Sequence, residues 1–393
     1  MGYDAPMALA LAGVRVWDGA SDTLRPGRET LSVVGERLVA GPVDGERIEL
    51  DGAVALPGLC DAHVHLSLDP ARREVAQDAS ADGLDAMAAR ARQMVEAGIT
   101  SARDLGGPEW RALELRDRIA RGELAGPRLL CAGQPLTSPR GHCWYWGGEG
   151  QGADELRAVV RRQVEHGADC IKVMATGGVL TRGTSPAIPQ FGQDELDAAV
   201  DEARRLGRHT AAHCHGTEGI LRAARAGVRT IEHCSFAGEE GFGGALDLEV
   251  VGEIARAGAW VSPTVNTGFA RFFAEDGTPG KFATRMGEVY TQLRRAGVPF
   301  VASTDSGIPN VAHHRLPEAL ALFARLAELR PVEALRAATS DAALALGVER
   351  TTGRIAPGLA ADLLVVDGDP LEDLGALLRP VLVVARGRIA FRA

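Results

Sequence analysis

The sequence predicts an α/β protein: a (β/α)8 barrel of the TIM type, with a small β-domain assembled from both ends of the chain. Three observations carry this expectation. Between residues 59 and 307 an apolar strand-like run, a turn and a stretch of Ala, Arg, Glu and Leu at helical spacing recur eight times. The polar residues fall at the C-terminal ends of those runs, the rim where barrels carry their chemistry. Both ends of the chain instead show short apolar runs broken by Gly, Asp and Pro, and 393 residues leave room for a barrel with an accessory domain.

In chain order, ALAGVRVW, ETLSVV, RLVAGPV, ERIELDG and AVALP read as the N-terminal strands. The barrel runs follow: LCDAHVH (59–65), ITSARDL (99–105), PRLLCAG (127–133), CIKVMAT (170–176), HTAAHCH (209–215), TIEHCSF (230–236), WVSPTV (260–265) and FVASTDSG (300–307). Helices are expected between them, for example over 194–206 and 288–296, closed by AG or LG pairs that act as C-caps. RIAPGLAADLLVVDGD and RPVLVVARGRIAFRA return to the short-strand texture. The expected division is 1–56 and 353–393 for the β-domain and 57–352 for the barrel.

Composition narrows the function classes. Hydrophobic residues at 46% and charged residues at 24% exclude a disordered or fibrous chain, and no apolar run is long enough for a membrane span. A formal charge of -9 without a basic patch argues against nucleic acid as a partner. Six scattered cysteines with no Cys-x-x-Cys suggest free thiols in a reducing compartment. The opening residues lack a basic segment and a cleavage pattern, and Pro6 stands where a myristoylated chain would carry Ser or Thr. The expectation is a cytoplasmic protein acting on a small molecule, with homo-oligomerisation left open.

The chemistry centres on His63 and His65. Alternate side chains of a strand share a face, so His-x-His at a strand end aims both imidazoles at one point. The bland alternative, a buried strand with two satisfied histidines, weakens once the other runs are read. Lys172 lies in the fourth, His213 and His215 close the fifth, His233 is in the sixth and Asp305 in the eighth. Imidazoles and a carboxylate on one rim are a donor set for one or two zinc-like divalent ions. Lys172 is the odd member, because a buried ammonium is costly and repels cations. Carboxylation by CO2 would turn it into an anionic carbamate able to bridge two metals. Two ions roughly 3.5–4 Å apart could share an attacking hydroxide, with Asp305 as ligand and proton shuttle.

The stretches LPGLCDAHVH, ARDLGG, IKVMATGGV, AAHCHG, IEHCSF and STDSG resemble the amidohydrolase superfamily, and within it the imidazolonepropionase-related metallopeptidases. This group includes Xaa-Pro dipeptidases, arginine and lysine carboxypeptidases and ochratoxin-hydrolysing amidases. The resemblance spans essentially the whole chain. It implies a distorted (β/α)8 barrel, a β-sandwich built from both termini, and a binuclear zinc centre. It assigns His63, His65, Lys172, His213, His233 and Asp305 as ligands. Spacing alone leaves His213 and His215 equivalent; the resemblance favours His213 as ligand and leaves His215 near the substrate carbonyl, where it could donate a hydrogen bond.

The substrate walls are read from two loops. After the third strand, TSPRGHCWYWGGEGQG carries His142, Trp144 and Tyr145, and Arg140-Gly141-His142 departs from the Gly-Gly-His of the family, whose histidine lies beside the substrate. After the fourth strand, Gly177 and Gly178 could let backbone approach a ligand, and Arg182 could clamp a carboxylate. Arg103 and Asp104 could form a structural ion pair or touch substrate, and His313 and His314, before the helix expected near residue 316, could be capping, surface or site residues. The expected function is a metal-dependent amide hydrolase for a dipeptide or N-acyl amino acid with a free carboxylate. The rivals are a cyclic-amide hydrolase, a mononuclear deaminase suggested by His215 and Glu218, and a non-catalytic barrel. A Cys214 nucleophile is disfavoured because its side chain faces away from both flanking histidines.

Overall fold

The computed structural model describes residues 8–75, 77 and 82–393, so the readings of the first seven residues, Pro6 included, lie outside it. The N-terminal runs form β1 (Ala8–Val16), β2 (Glu29–Val34), β3 (Arg37–Val39), β4 (Glu46–Glu49) and β5 (Val54–Pro57). β1 is their hub, antiparallel to β2 and parallel to β4 and β5. From β5 the chain passes through Gly58 directly into the barrel. A Cβ at Gly58 would stand 2.1 Å from Thr100 Oγ1, so the close approach of the two segments requires glycine.

The barrel is two parallel arcs. One is β6 (Leu59–Val64), β7 (Ile99–Asp104) and β8 (Arg128–Cys131). The other is β9 (Cys170–Met174), β10 (His209–Gly216), β11 (Thr230–Ala237) and β12 (Trp260–Ser262). Seven of the eight expected runs thus become strands. Single hydrogen bonds close the first seam, Asp169 N donating to Cys131 O (2.8 Å) and Leu136 N to Lys172 O (2.8 Å). The eighth run fills the second seam, Val301 N donating to Val261 O (2.9 Å) and Asp305 N to His63 O (2.9 Å). It forms no continuous ladder, because the Asp61 carboxylate takes Thr304 N at 3.1 Å and Asp305 turns to a positive φ of 57°. These open seams are the distortion of the barrel.

Around the arcs lie α1 (Leu84–Glu96), α2 (Arg111–Ala120), α3 (Gly152–Glu165), α4 (Gln193–Arg205), α5 (Thr217–Ala226), α6 (Leu248–Ala257) and α7 (Lys281–Arg295). They are followed by α8 (Leu316–Leu326), α9 (Pro331–Ala337) and α10 (Ser340–Leu346). α4 lies one residue from its expected span. α7 starts well before residue 288, because Ala283, Met286, Val289 and Leu293 continue one buried stripe at helical spacing.

β13 (Leu363–Val366), β14 (Pro380–Ala385) and β15 (Arg388–Arg392) complete the terminal sheet, whose order is β15-β14-β13-β5-β1-β2-β3, with β4 on β1. Both ends of the chain share its core: Leu9, Leu11 and Val14 pack with Leu363, Val365 and Val384. All six cysteines are buried and unpaired. Among the described residues, no helix is long and apolar enough to cross a membrane.

Candidate functional site

The C-terminal rim of the barrel opens into a cavity of about 540 Å³, and the six expected ligands together with His215 line it. Six of these seven fall into two sets whose donor atoms, one per residue, lie within 4.8 Å of one another: His63, His65 and Asp305 in one, His213, His215 and His233 in the other. In the first, His63 Nε2 and His65 Nε2 each lie 3.3 Å from Asp305 Oδ1. In the second, the His233 ring centroid stands 4.6 Å from His213 and 4.5 Å from His215. The His63 and His233 rings, 5.3 Å apart, bring the two sets face to face. Lys172 reaches the same cavity from β9, 1% exposed, and its Nζ has no hydrogen-bond partner.

Each imidazole is tied at one nitrogen, which leaves the other for a ligand. His63 Nδ1 donates to Glu232 Oε2 (2.9 Å) and His65 Nδ1 to Gly106 O (2.7 Å). His215 Nδ1 meets Ser235 Oγ at 2.8 Å, and His233 Nδ1 meets Thr264 Oγ1 at 2.9 Å. His213 is reversed: its Nε2 donates to Gly177 O at 3.1 Å, leaving Nδ1. A donor set of this kind, with an unpartnered amine among it, fits divalent ions.

Burial sets the electrostatics. It holds His63 and His215 near pKa 4 and His213 and His233 well below the usual imidazole range, so these rings are neutral, as ligands must be. Burial also lowers the Lys172 amine. Asp305 is pushed up by burial, but His63 and His65 outweigh this and keep it below the usual carboxylate value. His65 is disfavoured as a cation by burial, yet its hydrogen bond to Asp305 raises it.

The strand ends are strained. His233, Cys234 and Phe236 in β11, Thr264 after β12 and Asp305 have φ values of 66°, 48°, 45°, 54° and 57°. Non-glycine residues there cost on the order of 1–3 kcal/mol each and persist where the surroundings hold them. The kink at His233 lets adjacent residues both serve the site, Glu232 on His63 and His233 in the second set. Strict alternation would send them to opposite faces.

The walls differ from the expectation. His142 lines the cavity, buried, with Nδ1 2.9 Å from Thr181 Oγ1 and its ring 4.6 Å from that of His213. Tyr145 lines it too, but Trp144 turns outward at 36% exposure and Trp146 faces inward, 5.5 Å from the His65 ring. Residues 144–146 form one 3-10 turn, whose successive side chains point about a third of a turn apart, so three aromatics cannot share a wall. Gly177 serves the site through its carbonyl on His213. Gly178 is packed beneath His142, where a Cβ would stand 2.4 Å from the ring. Arg182 lies outside the lining, its side chain 83% exposed and paired with Glu74 at 3.2 Å.

Other expectations resolve plainly. Arg103 pairs with Glu232 (2.8 Å), not Asp104, and also donates to Ala62 O (2.8 Å). Asp104 accepts from Leu66 N (2.8 Å) and Gly106 N (3.0 Å), shaping the turn after β6. Glu218 pairs with Arg222 on α5 at 2.8 Å and does not line the cavity. Cys214 Sγ faces Gly219 O, away from both histidines. His313 is buried with Nε2 3.1 Å from His65 O, and His314 is exposed.

Sequence reasoning passed over Glu232 and offered Arg103 the wrong partner in Asp104, although two charged residues in apolar barrel strands are themselves a signal that each is paired. Burial would raise the Glu232 carboxyl, but Arg103 and then His63 hold it well below its ordinary value. Also passed over were Asp61, whose carboxyl burial lifts to about 7, and a wall of Phe242, Phe269, Phe272 and Phe282 with Arg271 at its edge. That wall is contributed by loops after β11 and β12 and by α7, which no local pattern joins.

The model of the Amidohydrolase family matches residues 54–390. An ochratoxinase from Aspergillus niger is 31% identical over 371 residues, covering 84% of this chain and 73% of its own. A crystal structure of a Xaa-Pro dipeptidase with methionine bound in the active site has a TM-score of 0.84 at 28% identity, covering 97% of this chain and 99% of that one. A prolidase complexed with N-methylphosphonate-L-proline has a TM-score of 0.82 at 30% identity, covering 98% and 100%.

Proposed function

The chain belongs to the amidohydrolase family and is a hydrolase acting on amide C–N bonds, and we propose that it is a binuclear metal enzyme cleaving a dipeptide or N-acyl amino acid. One observation carries the reading: a fully buried, unpartnered Lys172 Nζ shares a cavity with two facing sets of ligand atoms. A buried amine without a partner is costly. Addition to CO2, forming the N–C bond of a carbamate and releasing one proton, replaces it with an anion that two cations would satisfy.

In this reading His63, His65 and Asp305 would hold one ion and His213 and His233 the other, with the Lys172 carbamate as a further anionic ligand. Zinc suits such nitrogen and oxygen donors. Bound ions would polarise the amide carbonyl and bring the pKa of a water near 7. The chain's own groups do the rest. Asp305 takes the proton of the attacking water and passes it to the leaving nitrogen. His215, partly exposed at the Phe242 side of the floor, donates to the carbonyl oxygen, while His142 and Tyr145 stand beside the substrate. The β-domain is assigned to 1–56 and 353–393, the barrel to 57–352, and the setting is cytoplasmic.

The test is metal analysis with an amine-release assay over dipeptides and N-acyl amino acids. About two divalent ions per chain and amine release that chelation abolishes are expected. Full activity in metal-free protein, or ammonia release in place of amine, sinks the reading.

A further inference from the structure

A second cavity, of about 270 Å³, lies at the opposite end of the barrel from the histidine cluster, where the terminal sheet meets the ends of the first helices. The β14–β15 hairpin forms one side. Val95 at the end of α1 and the connection from Ile119 to Gly126, which leads from α2 into β8, form the other. The two cavities share no lining residue.

The hairpin brings two guanidinium groups to this cavity. Ala385 pairs with Arg388, so Arg386 and Gly387 form a two-residue turn at positive φ (51° and 73°), a conformation that usually takes Asn-Gly. From there Arg386 donates to Ile119 O (2.6 Å) and Ala120 O (2.7 Å) at the end of α2 and to Glu36 (2.8 Å), while its buried Nε–H has no acceptor. Gly122 closes α2 in the left-handed conformation, with Glu123 N donating to Arg118 O at 3.0 Å. A Cβ at Gly122 would stand 2.9 Å from Arg388 Nη1, so glycine leaves the room in which the second guanidinium is seated. The charges of the lining do not cancel. Glu36 is taken by Arg386, and Glu123 by Arg118 (3.2 Å) and Arg121 (2.5 Å). Arg388 has neither an ion-pair nor a hydrogen-bond partner among the described residues. Beside it the wall is aliphatic, with Val95, Ile119, Leu124, Ile389 and Ala390, and no aromatic ring is among the described lining residues.

One free guanidinium beside an aliphatic hollow, in a chain of formal charge -9, matches a single negative charge on an aliphatic body. The lining offers no second free cation for a phosphate dianion and no ring on which a base could stack. We propose that this cavity is a second ligand site, separate from the hydrolytic one, for a short aliphatic monocarboxylate. The carboxylate lies on Arg388 and the chain against Val95, Ile119 and Leu124. Such a ligand touches the hairpin of the terminal sheet and the ends of α1 and α2 at once. It therefore ties the β-domain to the barrel and stabilises the folded chain by mass action. The inference goes beyond the amide-hydrolase reading and does not depend on it.

The experiment is calorimetric titration with thermal melting, using hexanoate, acetate and 1-hexanol as probes of the full chain, metal-loaded and after chelation. Hexanoate is expected to bind with a Kd on the order of 1 mM and to raise the melting temperature in both forms. Acetate, which lacks the chain, and 1-hexanol, which lacks the charge, bind about tenfold more weakly or worse. Arg388→Ala weakens hexanoate binding by about tenfold or more, and Arg388→Lys recovers part of the loss. Because Arg388 is exposed and unpaired, Arg388→Ala leaves amide hydrolysis and the melting temperature without ligand unchanged, which separates lost binding from lost folding. Hexanoate binding that survives Arg388→Ala, or that disappears on chelation, belongs to the histidine cluster and overturns the proposal. Equal binding of acetate or 1-hexanol, or no binding of hexanoate, overturns it as well, and none of these outcomes bears on amide hydrolysis.

Discussion

At the floor of the cavity the histidines arrive in or beside barrel strands and each is fixed by a second residue, as Glu232 fixes His63 and Thr264 fixes His233. At the rim, Trp146, Phe272 and Arg271 arrive on 3-10 turns and are held mainly by ring packing. Strand-borne, hydrogen-bonded groups suit chemistry that tolerates little misplacement. Turn-borne aromatics suit a surface on which specificity is set. The lesson is that identity of reaction and identity of substrate reside in physically different parts of one cavity.

The contrast breaks first at Lys172. Lys172→Ala should reduce amide hydrolysis by more than about 100-fold and lower metal content, because even partners outside the ligand set cost roughly 10- to 100-fold. Steady-state kinetics with metal analysis checks it, and an active, metal-replete variant would make the floor no more exacting than the rim. Next comes Glu232→Gln, which leaves His63 and the buried Arg103 with a weaker partner. Metal affinity should fall by about 10- to 100-fold and stability by about 3 kcal/mol, read by competitive chelator titration and urea unfolding.

The floor should also show in the pH dependence of the metal-free protein. His63, His215 and His313 are held near pKa 4 and His142 near 3 by burial, whereas unfolded imidazoles titrate near 6.5. Between about pH 6.5 and 4 the unfolded chain binds the extra protons, so stability is full above this window and falls as pH drops through it. Each group contributes about 1.4 kcal/mol per pH unit. Asp61, raised to about 7, works in the opposite sense, as do Asp104, Asp341 and His65, which are also raised, but the lowered His209, His213 and His233 add to the four. Urea midpoints with chelator at several pH values should decline toward pH 4; a flat or rising trend contradicts the neutral floor. The smallest effect sharpens the rim: Arg182→Ala should leave KM for a carboxylate substrate within about twofold, since that side chain spends itself on exposed Glu74.

The same division governs what the sequence made legible. His63, His65, Lys172, His213 and Asp305 sit in or beside strands, where a period of two and placement at run ends locate them before any coordinates exist. Glu232 escaped because the positive φ of His233 breaks the alternation on which such reasoning depends. The rim escaped for a different reason. The partners of Phe282 on α7 lie in the loop after β12 and, with Phe242, in the loop after β11, and no local spacing encodes that encounter. Trp144 and Arg182 were plausible by residue type alone, and residue type does not fix the direction of a turn. The barrel and terminal sheet were legible because texture repeats over many residues; the eighth run was not seen to lack a ladder because a single side chain, Asp61, replaces the backbone acceptor.

The junction at Gly58 has a bearing on biosynthesis. β5 and β6 are one near-continuous length of chain, and β5 is clamped by β13, Leu363 opposite Pro57 and Val366 opposite Val54. β13 leaves the ribosome only after every barrel strand has been made. The strand that carries His63 is therefore fully anchored only once residues about three hundred positions downstream have been made, and the rim it serves is completed late in synthesis.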